Sequence, residues 1–254
     1  MRIENSFIPV SGVGEKTERR LWQRGVTHWD EFDGRGVGDR TAEKIASFIA
    51  TARERLVDGD AAFFAEQFPS REHWRLYEDF RDDTVFFDIE TTGLSQYAND
   101  VTTVSLHRDG ETTTLVRGQD LTRERLVEAF ADADLVVSFN GKRFDQPFLE
   151  HSFDLDLSVP HLDLLYTCKR LGLTGGLKQV EDDLGVGRDG VEDVDGREAV
   201  RLWHRYEAGD EAALDRLVEY NQYDTRNLER VLDEVHARLH DQVFADHLPG
   251  QTSV

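Results

Sequence analysis

Two carboxylates, Asp88 and Glu90, end the apolar run in FFDIETTG, residues 86–93. If 84–90 forms a strand, alternation sends Val85, Phe87 and Ile89 to one face and Phe86, Asp88 and Glu90 to the other. The two acids then project together, one pleat apart. Adjacent carboxylates repel and are costly to bury, and a divalent cation removes that cost. A solvated strand end carries the same pattern. Asp145, in NGKRFDQPFLEHSF, opens a helical stretch with Pro147 in its first turn, where a helix cap and a ligand are equally consistent. The third acid is Asp224. Leu214, Leu217, Tyr220, Asp224, Leu228, Val231, Val235 and Leu239 step by three or four and make one face of a long helix. Only Asp224 on that face is charged, so it requires a cation, a buried amide or an Arg beside it. Tyr220 lies one turn earlier on the same face.

Elements must hold these side chains rigidly, because a loop would not fix ligand geometry. LVVSF, 135–139, reads as a second apolar strand and leads toward Asp145. VTTVSLHRDG (101–110) and ETTTLVRGQ (111–119) read as two further strands joined at Asp109-Gly110. Helices are expected from about 122, 145, 162, 176, 196 and 211. The pattern predicts an α/β domain over 84–245, followed by a tail at 246–254.

The N-terminal segment contains a repeat. GVGEKTERRL from Gly12 and GVGDRTAEKI from Gly36 align without a gap, each ahead of a helical stretch, 15–24 and 39–56. The pair resembles a tandem helix-hairpin-helix module over 1–57, with a Gly-hydrophobic-Gly hairpin. The second copy has Ala42 and Ile45 at the small and apolar positions of its helix. The first has Leu21 but carries Glu18 where Ala is usual. The resemblance implies that Gly12, Gly14, Gly36 and Gly38 bring helix-start N–H groups close to nucleic-acid phosphates. Such a contact fixes position and reads no sequence. The alternative is a helical bundle that docks a protein such as a helicase or polymerase of replication or repair. Residues 58–83 read as a connector. It breaks at Asp58-Gly59-Asp60, and Ser70 is expected to cap a short helix whose Trp74, Tyr77 and Phe80 serve packing.

Charge narrows the classes. The chain has 254 residues, 30 basic and 51 acidic, a net charge of −21. Such a surplus opposes polyanion binding unless salt screens it. Lysine is scarce, at positions 16, 44, 142, 169 and 178 alone, and the acidic, Lys-poor surface is halophile-like. Residues 1–60 carry a net −1 and residues 61–254 a net −20, so the first segment repels a phosphate backbone least. The lone Cys168 reads as a small buried hydrophobe and suits a reducing, cytoplasmic setting. No apolar run is long enough to span a membrane, and MRIENSFIPV lacks the pattern of a secretion signal.

The order Asp-x-Glu, Asp, Tyr-x-x-x-Asp in FFDIETTG, SFNGKRFDQPFL and YNQYDTRNL resembles the DEDD (DnaQ-like) 3′–5′ exonuclease superfamily, in its Tyr-type branch. EHWRLYEDF, PHLDLL, GGLKQVEDDLGV and GREAVRLWHRY are similar to its YprB-like, RNase H-fold subgroup, so the likeness covers roughly 70–240. The resemblance implies an RNase H-like mixed sheet flanked by helices, with Asp88 and Glu90 on the first, central strand. It implies that Asp88, Glu90, Asp145 and Asp224 hold two Mg²⁺ or Mn²⁺ ions, and that Tyr220 orients or helps deprotonate the attacking water. The implied reaction releases nucleoside 5′-monophosphates from single-stranded or frayed DNA or RNA. Asp163 is expected either to support the metal site or to cap a helix, and Lys142 and Arg143 either to touch the strand or to be solvated. His161 shows no evident partner and reads as structural. Two rival readings are an RNase H-type endonuclease and a non-catalytic nucleic-acid-binding or scaffold protein.

Overall fold

The computed structural model describes residues 1–187 and 193–250, and its contacts divide the chain into two units. One comprises Met1–Arg81 and the end of the chain from Val235; the other comprises Asp82–Glu234. Residues 251–254 of the expected tail lie outside the described residues. No described helix is long and apolar enough to cross a membrane.

In the first unit, helices α1 (Glu15–Gln23) and α2 (Asp39–Val57) each follow a Gly-Val-Gly turn. Gly12 and Gly36 sit at φ 96° and 90°, a region where a side chain is strained. Gly14 and Gly38 are extended and form the N-caps. A short 3₁₀ turn precedes each hairpin, Ile3–Asn5 the first and Trp29–Glu31 the second. Glu18, the residue that departs from the repeat, is fully buried. Its carboxylate accepts from Ser6 Oγ at 2.8 Å and from the amides of Phe7 and Ile8 at 2.7 and 3.1 Å. Arg75 pairs with it at 3.0 Å and with Glu72 at 2.8 Å. Breaking such a buried pair from one side costs about 3–5 kcal/mol. Position 18 therefore serves this network rather than close helix packing.

Of the expected connector, 58–83, residues 58–81 belong to this unit. They form α3 (Ala61–Gln67), a 3₁₀ run Ser70–Leu76 and α4 (Tyr77–Phe80). Ser70 does not cap. Pro69 takes the N-cap position and makes no side-chain bond, because its ring carries no hydrogen-bond acceptor. Trp74, Tyr77 and Phe80 are buried, as their spacing predicts.

The second unit is built on β1 (Thr84–Thr91), β2 (Val101–Arg108) and β3 (Glu111–Val116), followed by α5 (Arg123–Phe130), β4 (Leu135–Ser138), α6 (Asp145–Phe153) and β5 (His161–Asp163). Then come α7 (Leu164–Arg170), α8 (Leu177–Leu184), α9 (Gly196–Glu207) and α10 (Glu211–Val243), of which the part up to Glu234 belongs to this unit. The helix expected from 162 begins at Leu164, because 161–163 pair with β4 as an edge strand. The sheet order is β3-β2-β1-β4-β5, with β1 central. The β1–β2–β3 meander is antiparallel, and β4 and β5 add in parallel. Asp109 and Gly110, both at positive φ, close the β2–β3 hairpin as a primed turn requires.

Val85, Phe87 and Ile89 face a core that includes Leu126 and Phe130 of α5 and Phe148 and Leu149 of α6. Each such side chain contributes roughly 1.5–3 kcal/mol on burial. The opposite face of β1 and β2 is bonded to α10. Thr103 Oγ1 donates to Asn221 Oδ1 at 2.9 Å, and His107 lies 3.1 Å from Glu229. All eight residues of the α10 stripe read from the sequence, Asp224 included, are buried. The result is the RNase H-like α/β arrangement of a mixed sheet flanked by helices.

Candidate active site

Alternation in β1 places Asp88 and Glu90 on the α10 face, and a bulge after Glu90 ends the regular pairing with β2. Pairing of β1 with β4 stops at Phe86, so β1 outruns its parallel neighbour. Beyond that point the amide of Ile89 donates to Asp145 Oδ1 at 3.2 Å, which ties the start of α6 to the strand. The loop into α6 must pass close by. A Cβ on Gly141 would lie 2.1 Å from Ser138 Oγ and 3.2 Å from Asp145 Oδ2. Asp145 is the first residue of its helix rather than the cap, and it is buried.

From α10 come Tyr220, Asn221 and Asp224. One carboxylate oxygen from each of Asp88, Glu90 and Asp224 lies within 4.8 Å of the others. Asp145 is not one of those three, and it acts on Asp88 electrostatically. Asn221 Nδ2 donates to Asp88 Oδ2 at 2.7 Å while its Oδ1 accepts from Thr103, so this amide fixes both the carboxylate and its distance from β2. The sequence reading missed Asn221. It sits one residue off the apolar stripe, and its partners are more than a hundred residues away.

The electrostatics are those of crowded acids. Burial, and then the carboxylates of Asp145, Asp224 and Glu90, push the Asp88 carboxyl well above its usual range. Burial raises Asp145 to about 7. Burial, and then the carboxylates of Asp224, Glu90 and Asp88, raise the Tyr220 phenol, so it remains a neutral O–H group, hydrogen-bonded with Asp224. A cation neutralises this repulsion. The donor set fits a hard divalent ion: it is all oxygen and lacks Cys or His. Mg²⁺ at about 2.0–2.1 Å from each ligand needs opposed oxygens roughly 4 Å apart. The separations of up to 4.8 Å among the three carboxylates are of that order.

Asp163 is both a helix cap and a brace. It accepts from Leu165 N at 3.1 Å to start α7, and from Asn140 N at 2.8 Å and Lys142 N at 3.3 Å to hold the loop that delivers Asp145. His161 does have partners, Ser138 Oγ at 2.7 Å and Gln146 Oε1 at 2.9 Å. Burial lowers its pKa to about 3, which keeps it neutral and structural. Lys142 and Arg143 are exposed on the same loop. Beside Glu90 opens a cavity of 670 Å³, within the usual range for small-molecule sites. Leu94, Phe144 and Val200 give it apolar walls, and Arg197 and Arg201 line its α9 side. Gly12, Gly14, Gly36 and Gly38 lie in the first unit, at the starts of α1 and α2.

The RNase_H superfamily model matches residues 85–236. No curated protein sequence matches the chain. Among solved structures, the family B DNA polymerase of the hyperthermophilic archaeon Pyrobaculum calidifontis is similar at TM-score 0.51 and 18% identity, over 66% of this chain and 26% of that one. The chain thus spans about a quarter of that polymerase. Brucella melitensis NrnC is similar at TM-score 0.45 and 21% identity, over 67% of this chain and 81% of NrnC. The Aedes aegypti Nibbler EXO domain is similar at 0.44 and 16%, over 69% of this chain and 86% of that domain. At these identities the likeness concerns the fold.

Proposed function

Since the chain belongs to the RNase_H superfamily, we propose that it is a metal-dependent 3′–5′ exonuclease of the Tyr-type DEDD branch. It acts on single-stranded or frayed DNA or RNA and releases nucleoside 5′-monophosphates. The observation that carries this reading is the meeting of Asp88, Glu90 and Asp224, with Tyr220 one turn before Asp224 and bonded to it. Asp88, Glu90, Asp145 and Asp224 would hold two Mg²⁺ or Mn²⁺ ions. Such ions, when bound, lower the pKa of the attacking water and offset charge on the leaving oxygen. Asn221 keeps Asp88 in place. Tyr220, a neutral O–H donor, orients the water rather than acting as its base. The cavity beside Glu90 would receive the terminal nucleoside, sugar and base against Leu94, Phe144 and Val200.

The test is nucleotide release with Mn²⁺ in high salt, from matched linear and circular strands. Mononucleotides from the linear strand with an intact circle are expected. A cut circle would turn the reading to an RNase H-type endonuclease, and binding without release to a scaffold.

For the N-terminal hairpins, the reading of a phosphate contact rests on exposed backbone at two helix starts. Gly14 and Gly38 have negative φ, and nothing lies within 4 Å of a Cβ added there. Gly14→Asp with Gly38→Asp should therefore fold, since Asp caps helices well. It places two negative charges where phosphates would sit. Affinity for a single strand should fall roughly tenfold, from about 1–2 kcal/mol of lost dipole and charge interaction. Unchanged affinity would assign the module to protein docking.

A further inference from the structure

Only three lysines occur between residues 82 and 234, Lys142, Lys169 and Lys178, in a chain with a net charge of −21. Lys178 Nζ lies 5.7 Å from the centre of the Tyr220 ring. The Lys142 amide donates to Asp163. Lys169 Nζ lies 5.7 Å from the ring centre of Tyr166, and Arg143 Cζ stands at 5.7 Å from that same ring. Tyr166 is 42% exposed, one of few large apolar side chains so placed. Among the described residues neither Arg143 nor Lys169 is paired with a carboxylate, whereas Arg108, Arg117, Arg205 and Arg216 are. In so acidic a chain, two cations that meet an exposed ring rather than a carboxylate keep their charge available to a phosphate.

Geometry ties this group to Asp145. Tyr166 lies in the first turn of α7, three residues after Asp163. Asp163 also grips the Asn140 and Lys142 amides of the loop that carries Arg143 and enters α6 at Asp145. One carboxylate thus positions both the aromatic ring and the loop of the candidate site.

We propose that Tyr166, Arg143 and Lys169 form a platform for the single strand on the 5′ side of the scissile bond. The inference rests on the exonuclease reading and specifies its substrate as an unpaired strand longer than a dinucleotide. A base stacks on the ring, and the guanidinium and ammonium groups meet the flanking phosphates. A base stacked about 3.5–4 Å from the ring takes the place of a cation on the face it uses, and the long Arg143 and Lys169 side chains swing from the ring to the phosphates. Stacking is sequence-tolerant and persists in salt that screens phosphate contacts.

The experiment measures anisotropy of a fluorescein-labelled octanucleotide with the full chain in EDTA, at low and high salt, alongside cleavage of a dinucleotide and an octanucleotide. Tyr166→Ala should weaken octamer binding roughly ten- to hundredfold, at both salt levels. Lys169→Ala should weaken it at low salt only. Tyr166→Phe should bind as the wild type does, because stacking needs the ring alone. In cleavage, the octamer-to-dinucleotide ratio of kcat/KM should fall in Tyr166→Ala by a similar factor. Unchanged octamer affinity in Tyr166→Ala, or a Phe variant as weak as the Ala variant, would overturn the platform. A wild type that binds the octamer through Tyr166 but cleaves nothing would instead overturn the exonuclease reading.

Discussion

Asp88→Asn should reduce Mn²⁺-dependent nucleotide release about a thousandfold or more, and should raise the melting temperature of the metal-free protein. The two effects have one origin. Asp88 stands among Asp145, Asp224 and Glu90, and burial together with those neighbours disfavours its charge. Replacing it with an isosteric amide removes one of the mutually repelling groups, and the new amide can turn its oxygen toward Asn221 Nδ2, which donates to Asp88 in the wild type. A gain in stability is expected without metal, because the penalty that burial and the neighbouring carboxylates place on the Asp88 charge is relieved. At about 2–4 °C per kcal/mol for a chain of this size, the change is measurable by scanning calorimetry. Loss of one anionic ligand weakens cation binding and the several kcal/mol of charge stabilisation that cations supply, and about 4 kcal/mol corresponds to a thousandfold in rate. Mn²⁺ at a hundred times its Kd should stabilise the wild type by about 2.7 kcal/mol and Asp88→Asn much less. A variant that keeps both the activity and the Mn²⁺ stabilisation would remove Asp88 from the site.

The placement of the candidate carboxylates is legible in the sequence where local periodicity speaks directly. Alternation alone predicts that Asp88 and Glu90 share a face, and the helical stripe alone isolates Asp224 as an acid among buried apolar residues. Both readings use neighbours within one element. The missed residues act across elements. Asn221 joins Thr103 of β2 to Asp88 of β1 from a helix far along the chain, and nothing within seven residues of it announces either partner. By sequence Asp163 reads as either a cap or a support, and it is both, because Oδ1 accepts from Leu165 and from Asn140 while Oδ2 accepts from Lys142, in a loop some twenty residues earlier.

The fold follows the same rule. The β2–β3 hairpin was legible because Asp109-Gly110 is a local turn signal. The three-residue β5 was hidden inside an expected helix, since so short a strand shows no alternation and exists through its pairing with β4. Glu18 was the weak point of the hairpin repeat when judged by pattern. Its burial depends on Arg75, 57 residues away, so the departure from pattern marks a local network that no repeat comparison contains. The connector reading of 58–83 failed to find α3 for a related reason: a helix of seven residues offers too few periodic positions to stand out.

Stability of the metal-free protein should fall as pH rises from about 4 to 7, and divalent cations should cancel or reverse that slope. Burial raises the folded-state pKa of Asp145 to about 7 from an ordinary value of 3.8, and Asp88 shifts in the same direction. Between those limits the folded chain holds protons that the unfolded chain has released. Stability therefore declines with increasing pH through the window and levels off above it. About three pKa units at 1.36 kcal/mol each set an upper scale on the order of 4 kcal/mol for Asp145. Surface repulsion among the many acids contributes a decline of the same sign, so melting is compared in high salt, which screens the surface, and against Asp145→Asn. The wild type should lose several degrees more than Asp145→Asn between pH 5 and pH 8. With Mn²⁺ the carboxylates must be ionised to bind, so cation affinity grows with pH and protons are released on binding. The wild type should then be as stable at pH 8 as at pH 5, or more so. Equal slopes for wild type and Asp145→Asn without metal would mean that Asp145 ionises normally. The crowded, cation-requiring cluster would then lose the member that α6 delivers.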